Sequence, residues 1–454
     1  MPNSLTTNMI GPQGQLYADP VPTPDEVSFR IDNTSSQYYN SPYYKAHENQ
    51  VQRIPVARNQ TPLNLSDFVT SDIMNAINAA GKIVFHSVGD TGAAKVSRSQ
   101  TAGTSIEDEG HVADAMSGDL AAGPGGPAFF FHLGDVVYNF GEAQYYYDQF
   151  YEPFRDYDRP IFAIPGNHDG MVFGQGSSAP QVPTLDAFLT NFCAAAPGAS
   201  PDSGGIVRSV MTQPGVYFSL DAPYVSIIGV YTNVLDSGAG VISSQGGHFP
   251  LVDDQLDFLT AQLTRLKPAR QKLERAVILA THHPPLSADA KHGGSTGMMK
   301  DIDACCKKAG LWPDVVLSGH AHLYQRFTRV VNNQETPYII SGSGGYAATA
   351  PKKLPPAPIK VGDHTMVINP IVDYGYLTIE TNGSVLTVTF KTADKTGTAV
   401  RDSVNLDLKT SKIFSGLPPA PSAPSGPPAA PPGKKRVASK QVSKGAAKHP
   451  TKRK

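Results

Sequence analysis

The chain has 454 residues, 40% of them apolar and 17% charged, with 19 tyrosines and 19 phenylalanines. That composition excludes a fibrous or wholly disordered protein and suffices for a substantial core in one large domain or several smaller ones. The formal charge of −1 hides an asymmetry, because the last 21 residues carry nine Lys and Arg and no acid, leaving the remainder ten charges negative.

Three cysteines, Cys193 and the adjacent Cys305 and Cys306, make no disulfide framework. The first twenty residues lack the basic and apolar regions of a signal peptide. No stretch reaches the apolar length of a membrane span. A soluble protein is expected, cytoplasmic by default, with secreted or periplasmic residence as the alternative.

Residues 1–60 are polar, rich in Asn, Ser, Tyr and Pro, and read as an irregular arm. From Leu65 onward Phe68, Val69, Ile73, Ala76 and Ile77 recur at helical spacing, with Gly81 as the stop. "KIVFHSVGD" reads as a buried strand ending in Asp90, and the polar, Gly-rich insertion at 94–127 holds a short helix at 106–117. "AFFFHLGD" is the next strand, ending in Asp135. Tyr145, Tyr146, Tyr147 and Tyr151 then continue a helix as core or rim aromatics, and "PIFAIPGNHD" is a third strand.

"GVYFSLDA" and "YVSIIGVYTN" form a hairpin around Ala222-Pro223, followed by a helix at 253–266 with Leu256, Leu259, Leu263 and Leu266 on one face. "RAVILATHH" and "DVVLSGHAH" are two more buried strands ending in polar residues. "TPYIISGSG", "YGYLTIET" and "SVLTVTFK" follow, the last two joined by the hairpin signal Asn382-Gly383. From Gly416 a Pro/Ala-rich linker leads into the basic tail. The domain map is therefore an arm at 1–60, one catalytic domain at 61–412, and a disordered linker and tail at 413–454. The tail's charge suits nucleic acid or an anionic surface, and a purely solubilising tail accounts for it as well.

Strand-then-loop units with intervening helices describe an α/β sheet whose strand ends carry the site. Those ends hold Asp90; Asp135 with Tyr138; Asn167, His168 and Asp169; His282 and His283; and His320 with His322. One aspartate after a strand is an ordinary turn former. Five such ends together supply carboxylates, an amide oxygen and imidazoles, the ligand set of Zn, Mn and Fe. Residues two apart on an extended strand end point the same way, so His320 and His322 can each serve a different ion of a pair. A carboxylate such as Asp135 can bridge the two, the arrangement of two-metal phosphate ester hydrolysis.

The ordered blocks "GD…GDVVY…GNHD…H…GHAH", from about 82 to 326, resemble the calcineurin-like metallophosphoesterase superfamily. Its general first block is D-x-H, whereas this chain has Asp90-Thr91-Gly92. With Gly134-Asp135-Val136-Val137-Tyr138 behind it, the pattern resembles the purple (tartrate-resistant) acid phosphatases, in which D-x-G pairs with G-D-x-x-Y. The resemblance implies a four-layer α/β/β/α sandwich of two mixed sheets. It implies Asp90, Asp135, Tyr138 and His322 on a ferric ion, with the tyrosine replacing the missing histidine. It implies Asp135 as bridge, with Asn167, His282 and His320, on a divalent Fe, Zn or Mn. His282 is taken over His283 because the family ligand stands two residues before the proline.

The implied reaction is hydrolysis of phosphomonoesters by in-line attack of a metal-bound water. His168 is expected on a phosphate oxygen, and His292 as proton donor to the leaving alkoxide with His283 as substitute. Asp169 is expected to orient His168. His86, His111, His132 and His248 receive no role. The alternatives are a phosphodiesterase or nucleotidase of the wider superfamily, or a catalytically weak, metal-stabilised scaffold.

Overall fold

The structure is a computed structural model that describes residues 54–92, 104–138, 141, 143–170, 185–236, 239–243 and 253–415. The predicted arm up to residue 53, the linker and tail from 416, and His248 lie outside the described residues.

The chain opens with β1 (Leu63–Asn64), a 3-10 turn over Leu65–Asp67, α1 (Ser71–Ala80) and β2 (Ile83–Val88). Gly81 ends α1 in the left-handed region at φ 64°, as its position in the sequence predicts. Next come α2 (Thr104–Asp119), β3 (Phe130–His132), β4 (Ile161–Ala163), α3 (Asp186–Phe192), β5 (Phe218–Ala222), β6 (Tyr224–Gly229), β7 (Val234–Asp236) and β8 (Ala239–Val241). The second half holds α4 (Asp254–Gln271), β9 (Arg275–Thr281), α5 (Thr296–Ala309), β10 (Val315–Ser318), β11 (Tyr324–Val331) and β12 (Gln334–Ser341). It closes with β13 (Ile359–Val361), β14 (His364–Met366), β15 (Gly375–Thr381), β16 (Val385–Asp394), β17 (Gly397–Asp407) and β18 (Lys412–Phe414).

Two mixed sheets face each other. One runs β18-β17-β16-β15-β2-β3-β4, with β2, β3 and β4 parallel. The other runs β1-β5-β6-β9-β10-β12-β11-β14-β13, with β6, β9, β10 and β12 parallel. Their facing sides share an apolar core that includes Phe85, Phe129, Phe131, Phe162, Ile227, Ile278, Leu317 and Ile379. The outer faces are covered by α2, against β15–β17, and by α4 and α5 on the opposite side. This is the expected four-layer sandwich. Strands buried on both faces read as unbroken apolar runs, which is why β2, β3, β9 and β10 stand out in the sequence.

Three elements differ from expectation. Helix α4 continues past Leu266 and through Pro268, because Arg270 is buried at its far end with Nε 2.8–2.9 Å from the Asp314 carboxylate. The expected helix through Tyr145–Tyr151 is a 3-10 turn followed by a π-turn over Tyr147–Tyr151. Its Gln149 side chain accepts from the Tyr138 backbone N–H at 2.8 Å and donates to the Tyr138 carbonyl at 2.6 Å, so the widened turn braces the second block. Helix α5, absent from the sequence reading, is capped by the Ser295 side chain on the Met298 N–H and stopped by Gly310 at φ 68°.

Candidate metal centre

Parallel strands deliver their carboxyl ends to one edge of the sandwich. Asp90 follows β2 by two residues, Asp135 follows β3 by three, Asn167 follows β4 by four, His282 follows β9 directly, and His320 follows β10 by two. Asp90, Asp135 and His320 hold left-handed backbones at φ 58°, 56° and 68°. Such strain in non-glycine residues concentrates at functional sites.

The side chains converge in two groups that share Asp135. In the first, Tyr138 donates its hydroxyl to Asp135 Oδ2 at 2.8 Å and to Asp90 Oδ1 at 3.1 Å. His322 Nε2 lies 3.3 Å from that hydroxyl and 3.5 Å from Asp90 Oδ1. In the second, Asn167 Oδ1 is 2.9 Å from both His282 Nε2 and His320 Nδ1, and His282 Nε2 is 3.5 Å from Asp135 Oδ1. Donor atoms of Asp90, Asp135 and His282 all lie within 4.8 Å of one another. These are the two sets named from the sequence, and all of them are buried.

The imidazole orientations test whether this donor set fits cations. His282 Nδ1 is 2.9 Å from the Leu133 carbonyl and His322 Nδ1 is 2.9 Å from the Ala347 carbonyl. A carbonyl only accepts, so Nδ1 carries the proton in both rings and the neutral ring turns its Nε2 lone pair inward. An inward lone pair facing Asp135 Oδ1 and Asn167 Oδ1 needs a positive charge between them. In the bare chain a proton supplies it. Burial disfavours a charged His282, but the Asp135 carboxylate outweighs burial and raises the ring to about 9. Burial likewise opposes the Asp135 charge, yet His282 and His168 hold it well below the usual carboxylate range. Burial, with Asp135 and Asp90 alongside, pushes the Tyr138 phenol far up, so only a cation can draw the phenolate from it. Carboxylates, a phenol, an amide oxygen and imidazoles oriented this way fit a borderline metal pair.

Gly92 makes room for Tyr138. A Cβ there would lie 2.6 Å from the Val136 carbonyl, 2.7 Å from Gln149 Oε1 and 3.0 Å from the Tyr138 ring. A histidine at 92 and this placement of Tyr138 are sterically incompatible.

The remaining predicted residues surround the donors. His168 is half-buried, donates its backbone N–H to Asp135 Oδ1 at 2.8 Å, and sets its ring 4.2 Å from that of Tyr138. The His292 ring lies 4.6 Å from His320 and 4.9 Å from His322. His283 sits deeper, fully buried behind His320 at 4.4 Å, with Nδ1 2.8 Å from Thr232 Oγ1. Asp169 differs from expectation. Its carboxylate accepts from the backbone N–H of Val136, Val137 and Gly166, so it shapes the Asp135 loop where it was expected to orient His168. Burial and the Asp135 charge raise it to about 7. His86 and His132 are buried structural histidines, bonded to Tyr157 and Asp119 and to Thr91 respectively.

The sequence reading missed Tyr346, whose ring stacks on Tyr138 at 3.5 Å and 6°. The signal was the glycine-rich run before it: a Cβ at Gly342 would strike the Ala321 carbonyl, and one at Gly344 the Gly89 carbonyl. No helix among the described residues is long and apolar enough to cross a membrane.

The family model of the calcineurin-like phosphoesterases matches residues 88–324, just over half the chain. Purple acid phosphatase 22 of Arabidopsis thaliana is 30% identical over 151 residues, which cover 32% of this chain and 31% of that protein. The chain thus matches about a third of that relative's length. Among solved structures, a purple acid phosphatase from yellow lupin (Lupinus luteus) seeds is 17% identical with a TM-score of 0.49, over 72% of this chain and 54% of that one. GAP50, the anchor in the inner membrane complex of Plasmodium, is 15% identical with a TM-score of 0.48, over 72% of this chain and 89% of that one.

Proposed function

The chain belongs to the calcineurin-like phosphoesterase family, and on that premise we propose that it is a binuclear metallohydrolase that cleaves phosphomonoesters in the manner of purple acid phosphatases. The observation that carries this reading is the pair of donor sets sharing Asp135, with Tyr138 on one side and Asn167, through His282, on the other. Asp90, Asp135, Tyr138 and His322 would hold a ferric ion. Asp135, Asn167, His282 and His320 would hold a divalent Fe, Zn or Mn. When bound, the ions polarise phosphoryl oxygens and acidify a water for in-line attack.

The chain's own residues do the rest. The carbonyls of Leu133 and Ala347 fix the inward faces of His282 and His322. Asp169 holds three backbone amides and with them the loop that aims Asp135. His168, half-buried at the rim, donates to a phosphate oxygen as negative charge builds on it. His292 gives a proton to the departing ester oxygen as its bond to phosphorus breaks, so the products are an alcohol and inorganic phosphate. Burial, with His322 nearby, pushes the His292 ring well below its ordinary value. A protonated ring in that setting gives up its proton readily to the departing oxygen.

The test is hydrolysis of p-nitrophenyl phosphate before and after a chelator, with iron and zinc quantified in the same sample. Hydrolysis that disappears on chelation and returns with metal is expected. Activity indifferent to chelation would sink the metallohydrolase reading, and cleavage of bis-p-nitrophenyl phosphate in preference to the monoester would replace it with a phosphodiesterase.

A further inference from the structure

The loop between β9 and α5 carries His292, and Asp289 is built into it in a way that the reaction does not require of a surface loop residue. Asp289 is fully buried. Its Oδ1 accepts the backbone N–H of Lys291 at 2.6 Å and of His292 at 2.8 Å. Its Oδ2 accepts the hydroxyl of Thr349, which stands on the segment after β12. The Thr349 N–H in turn donates to the His322 carbonyl at 3.1 Å, and Ala347 in the same segment accepts from the His322 ring. One carboxylate thus links the histidine that faces the leaving group to the segment that holds a metal-site histidine by both ring and backbone.

The surroundings leave this link little play. Ser287 Oγ donates to the His292 carbonyl at 2.7 Å and accepts the Asp289 N–H at 3.1 Å. Ala290 N–H bonds the Ala350 carbonyl at 2.9 Å and Lys352 N–H bonds the Ala288 carbonyl at 2.8 Å, stitching the two segments together on either side of Asp289. The imidazole itself is held less tightly, with Nδ1 3.9 Å from Asp289 Oδ1. Its place over His320 and His322 is set through its backbone.

We propose that Asp289 is a positioning residue for leaving-group protonation, acting through His292 and, by way of Thr349, keeping that ring in register with the metal site. The inference rests on the phosphomonoesterase reading above. Asp289 touches neither the phosphate nor a metal-site donor side chain. Its contribution is the geometry of the proton donor, where a displacement of about 1 Å costs on the order of 10²-fold in rate.

A proton to the leaving oxygen matters most for poor leaving groups, and that separates this role from a merely structural one. In the full-length, metal-loaded protein, Asp289→Ala is expected to lower kcat for an alkyl phosphate by about 10²-fold and for p-nitrophenyl phosphate only a few-fold, with KM and metal content unchanged. Asp289→Asn, whose remaining carbonyl oxygen still takes both amides, recovers most of the loss. In a His292→Ala background the Asp289→Ala change costs nothing further. Thr349→Val, nearly isosteric, shows a smaller loss with the same leaving-group pattern and serves where Asp289→Ala folds poorly.

Equal losses on both esters, or a full additional loss in the His292→Ala background, overturn the proposal while leaving the phosphatase reading intact. Hydrogen exchange separates the two failures. The amides of Lys291 and His292 exchange orders of magnitude faster in Asp289→Ala at unchanged global stability if the clamp exists, whether or not the protein hydrolyses any ester. Unchanged protection of those amides overturns it.

Discussion

Tyr138 stacks on the face of Tyr346, with the tilted His168 ring beside it and its hydroxyl on two carboxylates, a buried phenol that cannot ionise by itself. Loading with ferric iron is therefore expected to give a visible tyrosinate-to-iron absorption band, and Tyr138→Phe to abolish it while three of the four first-group donors remain. A native protein that retains iron but is colourless would remove Tyr138 from the ligand set. Gly166 offers a second test from the opposite side. A Cβ there would collide with Asp135 Oδ1 and lie 2.7 Å from His282 Cε1. Gly166→Ala is expected to cost only about 1–3 kcal/mol of stability by overpacking, yet to lower both metal content and kcat by on the order of 10²-fold, since it displaces a shared donor. Metal analysis beside a denaturant melt checks both halves of that expectation.

Strands β2 and β3 carry the two structural histidines, and the second gives a prediction about pH. His132 Nδ1 accepts the Gly134 backbone N–H at 3.1 Å, so its proton is on Nε2, which donates to Thr91 Oγ1 at 2.9 Å. Burial lowers this ring to about 3. The unfolded chain, with an ordinary value of 6.5, binds the proton first, so stability falls as the pH drops below 6.5 and continues to fall toward 3. Between pH 7.5 and 5.0 this one group costs roughly 2 kcal/mol. Urea melts at the two pH values should show His132→Gln losing about that much less than the parent protein; an identical loss would mean that His132 is not held neutral. The same elements show what the sequence could reveal. Runs such as "KIVFHSVGD" and "RAVILATHH" are apolar on both faces and end abruptly in donors, so strand and ligand are read together. Helix α5 was passed over although Met298, Ile302, Cys305 and Ala309 follow helical spacing, because Lys300, Asp301, Lys307 and Lys308 interrupt the apolar signal. Strand β17 alternates half-exposed polar residues and has no apolar run at all. Tyr346 and Gln149 act through contacts 208 and 11 residues away in the chain, and the Thr349 hydroxyl that Asp289 accepts is 60 residues away, distances at which local pattern carries no information.

The two sheets contribute unequal shares of the candidate donor set, so a cation bound there would be a clasp for the whole sandwich. Asp90, Asp135, Tyr138 and Asn167 come from the ends of β2, β3 and β4, whereas His282, His320 and His322 come from the ends of β9 and β10 in the other sheet. Hydrogen bonds already join the edges there: backbone bonds from Gly89 N–H to the Ser341 carbonyl at 2.9 Å and from Tyr346 N–H to the Asp90 carbonyl at 3.0 Å, and one from His320 N–H to the Asp90 side chain, at Oδ2, of 2.8 Å. A cation held by donors from both sheets binds only the folded chain, so it adds stability by mass action, about 2.7 kcal/mol at a free concentration one hundred times its Kd. Chelation is expected to lower Tm, and adding iron and zinc back to restore it. In His282→Ala the second group loses a ring from the opposite sheet while Asp135 and Asn167 remain, so the metal-dependent part of the Tm should shrink even where the metal-free Tm does not. If chelation leaves Tm unchanged in the parent protein, no cation bridges the sheets, and the convergence of these seven side chains must be maintained by their own hydrogen bonds and by the proton that Asp135 keeps on His282.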